Sequence, residues 1–300
     1  MLRDNPIGWN WEVYIEMFAV GIAAGAFLIA MLLELFGRGR SPIARTAHLI
    51  TPPLALLGTA LLIYKLERSE RFLHMIVQSE NIPWPMFKWW SPISFGAWIL
   101  MAFSLVATIS FIDALVDRSW FRAGPWYRGH TIHGSILGKV VAVIGILLAL
   151  ALAAYSGALL SVTAVPGWDD TIFISALFLG VSAATGAAML LLLHAIFGHA
   201  PLDEVDSLTQ FGSMAVIWQL FLLIVVAISL GGAMSFILSS TRTIIAAAVA
   251  VVLLLIALPI LYLKVLPSDT LRLGLASSLI LVSGFLIRYT MVMGPQHAIE

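Results

Sequence analysis

An all-α integral membrane protein of eight transmembrane helices is the fold class this sequence predicts, and three observations predict it. Of the 300 residues, 61% are apolar and 11% charged, whereas soluble domains carry about a quarter of their residues as charged ones. Mean hydropathy is +1.00. Eight apolar stretches are long enough to cross a bilayer. A hydrocarbon core of about 30 Å takes roughly 20 helical residues, and a helix satisfies its own backbone polar groups in lipid.

The spans fall at about 13–36, 45–64, 94–116, 135–161, 171–197, 213–238, 243–265 and 271–293. The first opens after Asn10-Trp-Glu without a basic flank and runs past Leu33 with no small-residue cleavage site. It reads as a retained span and not as a signal peptide. Gly37-Arg-Gly-Arg-Ser-Pro ends it, and the second span runs to Tyr64. A long linker, 65–93, leads to the third span, and Arg118–Gly134 leads to the fourth. Pro166-Gly-Trp-Asp-Asp, Gly198–Ser207, Ser239-Ser-Thr-Arg and Leu266-Pro-Ser-Asp separate the remaining spans by turn-forming residues. Pro259 is the one proline expected inside a span. Eight crossings put both termini on one face of the membrane, called here the terminal face.

The protein reads as a single membrane domain with no soluble part. Spans one to four carry Glu12, Glu16, Glu34, Lys65, Asp113, Lys139 and Tyr155 at or near their ends, while spans six and seven are almost unbroken Ala, Val, Ile and Leu. A functional four-helix bundle over about 1–165, with a supporting half over about 166–300, is expected. Net charge is zero, so nothing points to nucleic acid. The absence of cysteine excludes a Cys-ligated iron–sulfur cluster, a thiolate zinc site and covalently held haem within this chain. The histidines lie at span ends, which argues against a bis-His haem between facing helices. Basic residues number nine in loops opposite the termini against seven on the terminal face. That bias leans toward termini on the outer face of a bacterial or archaeal cell membrane.

Charge is concentrated at Lys65-Leu-Glu-Arg-Ser-Glu-Arg-Phe, followed by a Trp- and Pro-rich stretch ending at Trp89-Trp-Ser-Pro. Two readings fit: a solvated, paired interfacial loop, or a cluster at the mouth of a bundle that serves a ligand. Glu12 and Glu16 share a helix face. Glu16 lies inside the apolar period near the small residues Gly21, Ala24 and Gly25, where a carboxyl either meets headgroup water or exchanges a proton with a ligand oxygen. Tyr155, followed by Ser156 and Gly157, sits at the terminal-face end of span four. Its phenol suits either an interfacial aromatic belt or a hydrogen bond to a ligand carbonyl. On the opposite face, Glu34, Asp113, His133 and Lys139 form a possible proton path, with His48, His130, His194 and His199 nearby.

Five segments resemble the NrfD/PsrC family of polysulfide-reductase-type membrane subunits. Trp11-Glu-Val-Tyr-Ile-Glu-Met-Phe-Ala-Val-Gly-Ile-Ala-Ala-Gly-Ala resembles the family's aromatic, Gly-rich first span. Lys65-Leu-Glu-Arg-Ser-Glu-Arg-Phe stands where the family usually has Leu-Gly-x-Pro-x-Arg-Phe, so Glu67-Arg-Ser replaces the commoner Gly-x-Pro. Trp89-Trp-Ser-Pro-Ile-Ser-Phe-Gly-Ala-Trp, Ala154-Tyr-Ser-Gly-Ala-Leu-Leu and Leu286-Ile-Arg-Tyr-Thr-Met-Val-Met-Gly-Pro-Gln resemble its third-span start, fourth-span end and carboxyl end.

The resemblance implies a quinone site at the terminal face, formed among Trp11, Glu16, Lys65, Glu67, Arg68 and Tyr155, with Glu16 in a slot where some members have histidine. It implies menaquinone or ubiquinone as the substrate, with no haem or iron–sulfur cluster in this protein. Its implied partners are a ferredoxin-like subunit with four 4Fe-4S clusters and a molybdopterin catalytic subunit beyond it. An alternative complex III-type quinol oxidoreductase also lies within the resemblance. A secondary transporter or proton channel is the reading from another class, and a purely structural anchor a third. Against a transporter stand the lack of an internal repeat and of spans broken at mid-membrane.

Overall fold

The computed structural model describes residues 9–66, 72, 76, 88, 90–117, 132–198, 200–262 and 268–298. They form α1 (Trp11–Leu35), α2 (Pro42–Lys65), α3 (Pro92–Asp117), α4 (Ile136–Ser161), α5 (Phe173–Phe197), α6 (Leu202–Leu230), α7 (Met234–Ile237), α8 (Thr241–Tyr262) and α9 (Asp269–His297). A single 3₁₀ turn, Gly231–Ala233, joins α6 to α7, which together make one span. Eight helices among the described residues are long and apolar enough to cross a membrane.

Local chemistry sets several of the helix starts. Ser41 caps α2 by accepting from the Ala44 N–H at 3.2 Å, with Pro42 in the first helical position, where a missing N–H costs nothing. Ser135 caps α4 through the Gly138 N–H at 3.1 Å, and Ser268 is the N-cap of α9. Gly198 ends α5 in the left-handed region, φ 62°, where a residue with a Cβ is disfavoured.

Two sequence expectations need correction. The sixth helix begins at Leu202 and not near 213, because Pro201 sets the turn and Asp203 and Glu204 favour the positive end of a helix. Pro259 is not the only proline inside a span: Pro52 and Pro53 lie within α2 and Pro295 within α9. Lacking an N–H, Pro52 cannot bond the carbonyl of His48 one turn earlier. The irregularity in α2 therefore falls at a residue that proves central below.

Helices α1 and α5 form the centre, with α2, α4, α6 and α9 packed around them. Their contact is backbone to backbone. A Cβ on Gly25 would strike the Ser182 carbonyl oxygen, and one on Gly186 would strike the backbone of Gly25 and Ala26. Small residues permit this approach, which favours helix association inside lipid. The peripheral helices expose apolar side chains such as Leu105, Leu147, Ile228 and Leu255, as a hydrocarbon solvent allows. At the terminal face, fully buried Trp168 stacks on Trp9 (centroids 5.0 Å apart) and donates its indole N–H to the Met291 carbonyl. The backbone N–H of Trp9 donates to Gln296 Oε1, so the segment before α1, the α4–α5 connection and the end of α9 are tied together.

Candidate functional site

On the terminal-face side of α1, Glu16 is buried, with 8% of its surface exposed. Gly58 of α2 lies against the Glu16 side chain and Val20. Among the described residues, Arg288 on α9 and Tyr155 on α4 are ionisable groups in electrostatic reach of Glu16. Tyr155 donates its phenol proton to the Pro92 carbonyl at 2.9 Å and packs closely on Gly96, which joins the end of α4 to the start of α3.

Arg288 is fully buried. Nη2 donates to Ser182 Oγ at 2.8 Å, and the guanidinium carbon lies 4.9 Å from the Phe178 ring centroid. Nε and Nη1 have no hydrogen-bond partner among the described residues. Gly21 leaves the space the guanidinium occupies, since a Cβ there would overlap Nη2. Measured along α9, Arg288 is nine residues from the helix end, about 13 Å into the membrane. A cation at that depth is costly without counter-charge, and among the described residues Glu16 is a carboxyl near enough to supply it.

A second group of ionisable residues lies at the opposite end of the same helices. Glu34, His48, Asp113 and His133 are all at most 4% exposed. The His48 and His133 rings stack, centroids 4.3 Å apart and planes 19° from parallel. Asp113 accepts from the Ile132 and His133 N–H groups at 2.9 and 3.1 Å, and Glu34 accepts from the Gly134 N–H at 2.8 Å. The carboxylates thereby hold the turn that presents His133. His133 Nδ1 is 3.4 Å from Glu34 Oε2, and Nε2 is 3.9 Å from Asp113 Oδ2. Arg40 Nε donates to the His133 carbonyl at 2.9 Å.

The residues singled out from sequence thus fall into separate groups. Glu16 and Tyr155 are near one another on the terminal-face side, with Trp11 exposed on the first turn of α1 and Lys65 half-buried as the last residue of α2. Glu67 and Arg68 lie outside the described residues. Glu34, Asp113 and His133 converge, while Lys139 is exposed on the first turn of α4.

Sequence reasoning gives no role to Arg288 and leaves His48 at the margin. A signal for each was present. Ala44, Ala47, His48, Thr51, Ala55 and Gly58 form the buried stripe of α2, and Ser277, Ser283, Gly284 and Arg288 lie on the buried side of α9. A polar residue within such a small-residue stripe faces the protein interior and not lipid.

Comparison with known proteins decides the family. The model of the family described as "Polysulphide reductase, NrfD" matches residues 2–300. The protein belongs to the NrfD family. Two curated relatives are similar to it. One is Protein NrfD of Escherichia coli K12, 24% identical over 228 residues, covering 72% of this sequence and 69% of the relative. The other is the C subunit of polysulfide reductase from Wolinella succinogenes, 24% identical over 235 residues, covering 75% and 71%. Membership in the NrfD family agrees with the all-helical, multi-pass architecture and supports a membrane anchor of a redox complex.

Proposed function

We propose that this NrfD-family protein is the quinone-reactive subunit of a respiratory oxidoreductase, exchanging electrons between the quinone pool and an iron–sulfur partner subunit. One observation carries the reading: a buried carboxyl, Glu16, with a buried arginine, Arg288, and a phenol, Tyr155, in its electrostatic reach at one end of a membrane bundle. Oxidation of a quinol releases protons as well as electrons, so the site needs a group that can accept a proton where bulk water is scarce. Glu16 is that group. Arg288 supplies the positive charge that balances a Glu16 carboxylate at this depth. Tyr155 fixes the start of α3 through its bond to Pro92, and its phenol oxygen keeps lone pairs free to accept from a substrate hydroxyl.

The partners implied are a ferredoxin-like 4Fe-4S subunit, which would take or give the electrons, and a molybdopterin catalytic subunit, which would set the terminal substrate. The name of the Wolinella relative, with its subunit letter, denotes one member of a multi-subunit enzyme and supports partner subunits here. Tyr155→Phe tests the site. Losing one hydrogen bond to the substrate is worth about 1 kcal/mol, so quinol turnover by the purified complex should fall about fivefold to tenfold, with the complex still assembled. Turnover equal to that of the unsubstituted complex would remove Tyr155 from the site.

A further inference from the structure

We infer that the stacked His48–His133 pair is a proton-binding site that takes up one proton from water at the face opposite the termini and is sealed from the terminal face. The site stands on its own geometry and does not depend on the quinone reading.

Neither ring nitrogen of either histidine has a hydrogen-bond partner among the described residues, although both rings are buried. Buried polar groups are ordinarily satisfied, so four imidazole nitrogens without a hydrogen bond, those of His133 within ion-pair reach of Glu34 and Asp113, mark a place built to hold a proton. Beside them is a cavity of about 10 Å³, lined by Gly39, Arg40, Arg45, His48, Asp113 and His133. That is about the space of one water, and a water there would have imidazole, carboxylate and guanidinium neighbours.

Among the described residues, the charges around the rings favour one proton over two. Glu34 of α1 and Asp113 of α3 flank His133 and favour a cation, while Arg40 and Arg45 oppose a second one. α4 faces the cluster with uncharged Gly138, which packs on Glu34. Two imidazoles at 4.3 Å cannot both be charged without strong repulsion, so the pair binds protons as a unit.

Access is one-sided. Arg40 is solvent-exposed and forms the outer wall, in the connection between α1 and α2. On the inner side the His48 ring meets the edge of Phe27, and Phe27 packs against Phe103. Val20, Ala23, Ala24, Met31 and Ala107 complete this dry layer. Glu16 and Glu34 are eighteen residues apart on α1, about 27 Å along the axis, with that layer between them. The two ends of α1 therefore serve separate aqueous faces.

The test is ¹⁵N-histidine NMR on the complete complex in vesicles carrying it in one orientation, with pH set independently on the two sides. The stacked rings are assigned by their mutual contact and by loss of signal in His48→Gln or His133→Gln. Because the titration itself uses the unsubstituted protein, a variant that fails to fold leaves the test intact. Acidifying the face opposite the termini should bring one charge to the pair, and acidifying the terminal face alone should bring none. Two charges, two neutral rings wherever the fold persists, or a response to the terminal face would each overturn the inference.

Discussion

Glu16→Gln is expected to lower quinol turnover by about 10²–10⁴-fold, the contribution typical of a positioned proton acceptor, while the complex still assembles. Glutamine has nearly the shape of glutamate and cannot accept a proton at working pH. The Gly58 contact with this side chain and the apolar packing around Met17 and Val20 stay as they are. What changes is the charge facing Arg288. Without the carboxylate, the guanidinium keeps Ser182 and the Phe178 ring but loses its counter-charge. A loss confined to kcat with KM little changed would identify Glu16 as acting in the transition state. Steady-state quinol oxidation over a range of substrate concentrations checks this, and unchanged kcat would contradict it.

The largest structural effect is expected at Gly186. Any side chain there meets the backbone of Gly25 and Ala26 on α1, which cannot yield as a flexible side chain would. Overpacking a well-fitted interior costs about 1–3 kcal/mol and sometimes more, and a rigid backbone on both sides puts Gly186→Leu at or above the top of that range. The consequence reaches the site, because Ser182, one turn away on α5, is the hydrogen-bond acceptor for Arg288. Gly186→Leu should therefore lower the unfolding temperature in detergent steeply and reduce the amount of assembled complex. Gly212→Ala is the control: its added carbon would make only ordinary van der Waals contact with Ala187, at 3.4 Å. Equal melting of the two variants would show that the α1–α5 contact is loose enough to accept a side chain.

Much of this architecture was legible in the sequence because lipid imposes one rule on every span. A membrane helix must be long and apolar, and Ser41-Pro42, Ser135 and Ser268 mark starts that hydropathy alone leaves vague. For the sixth span, Pro201 and the acidic first turn marked the start better than hydropathy did. The polar turn Asp203-Glu204 belongs to α6, although it looks like loop. Pro52 and Pro53 lie inside α2, since a membrane span tolerates proline where a soluble helix would break.

The sites were legible in part. Glu16 and Tyr155 stood out as polar residues near the ends of apolar runs, and Glu34, Asp113 and His133 as ionisable groups on one face. Arg288 and His48 were harder to place, since their meaning lies in partners on other helices. Arg288 is defined by Ser182 and Phe178 on α5 and the gap at Gly21 on α1. His48 is defined by a ring 85 positions later in the sequence. Neither pairing has a local periodicity to reveal it.

The central claim is that this protein passes electrons between quinone and an iron–sulfur partner. The most direct measurement is electron paramagnetic resonance of the complex purified natively through a tag on this subunit, before and after addition of a quinol or quinone. Iron and acid-labile sulfide are expected to co-purify with it. The cluster signal is expected to change within turnovers of quinol or quinone addition, and that change to be lost in Glu16→Gln. A subunit that purifies without iron in a detergent that preserves known complexes would contradict the claim. So would a cluster signal that responds to quinol equally with and without the Glu16 carboxylate.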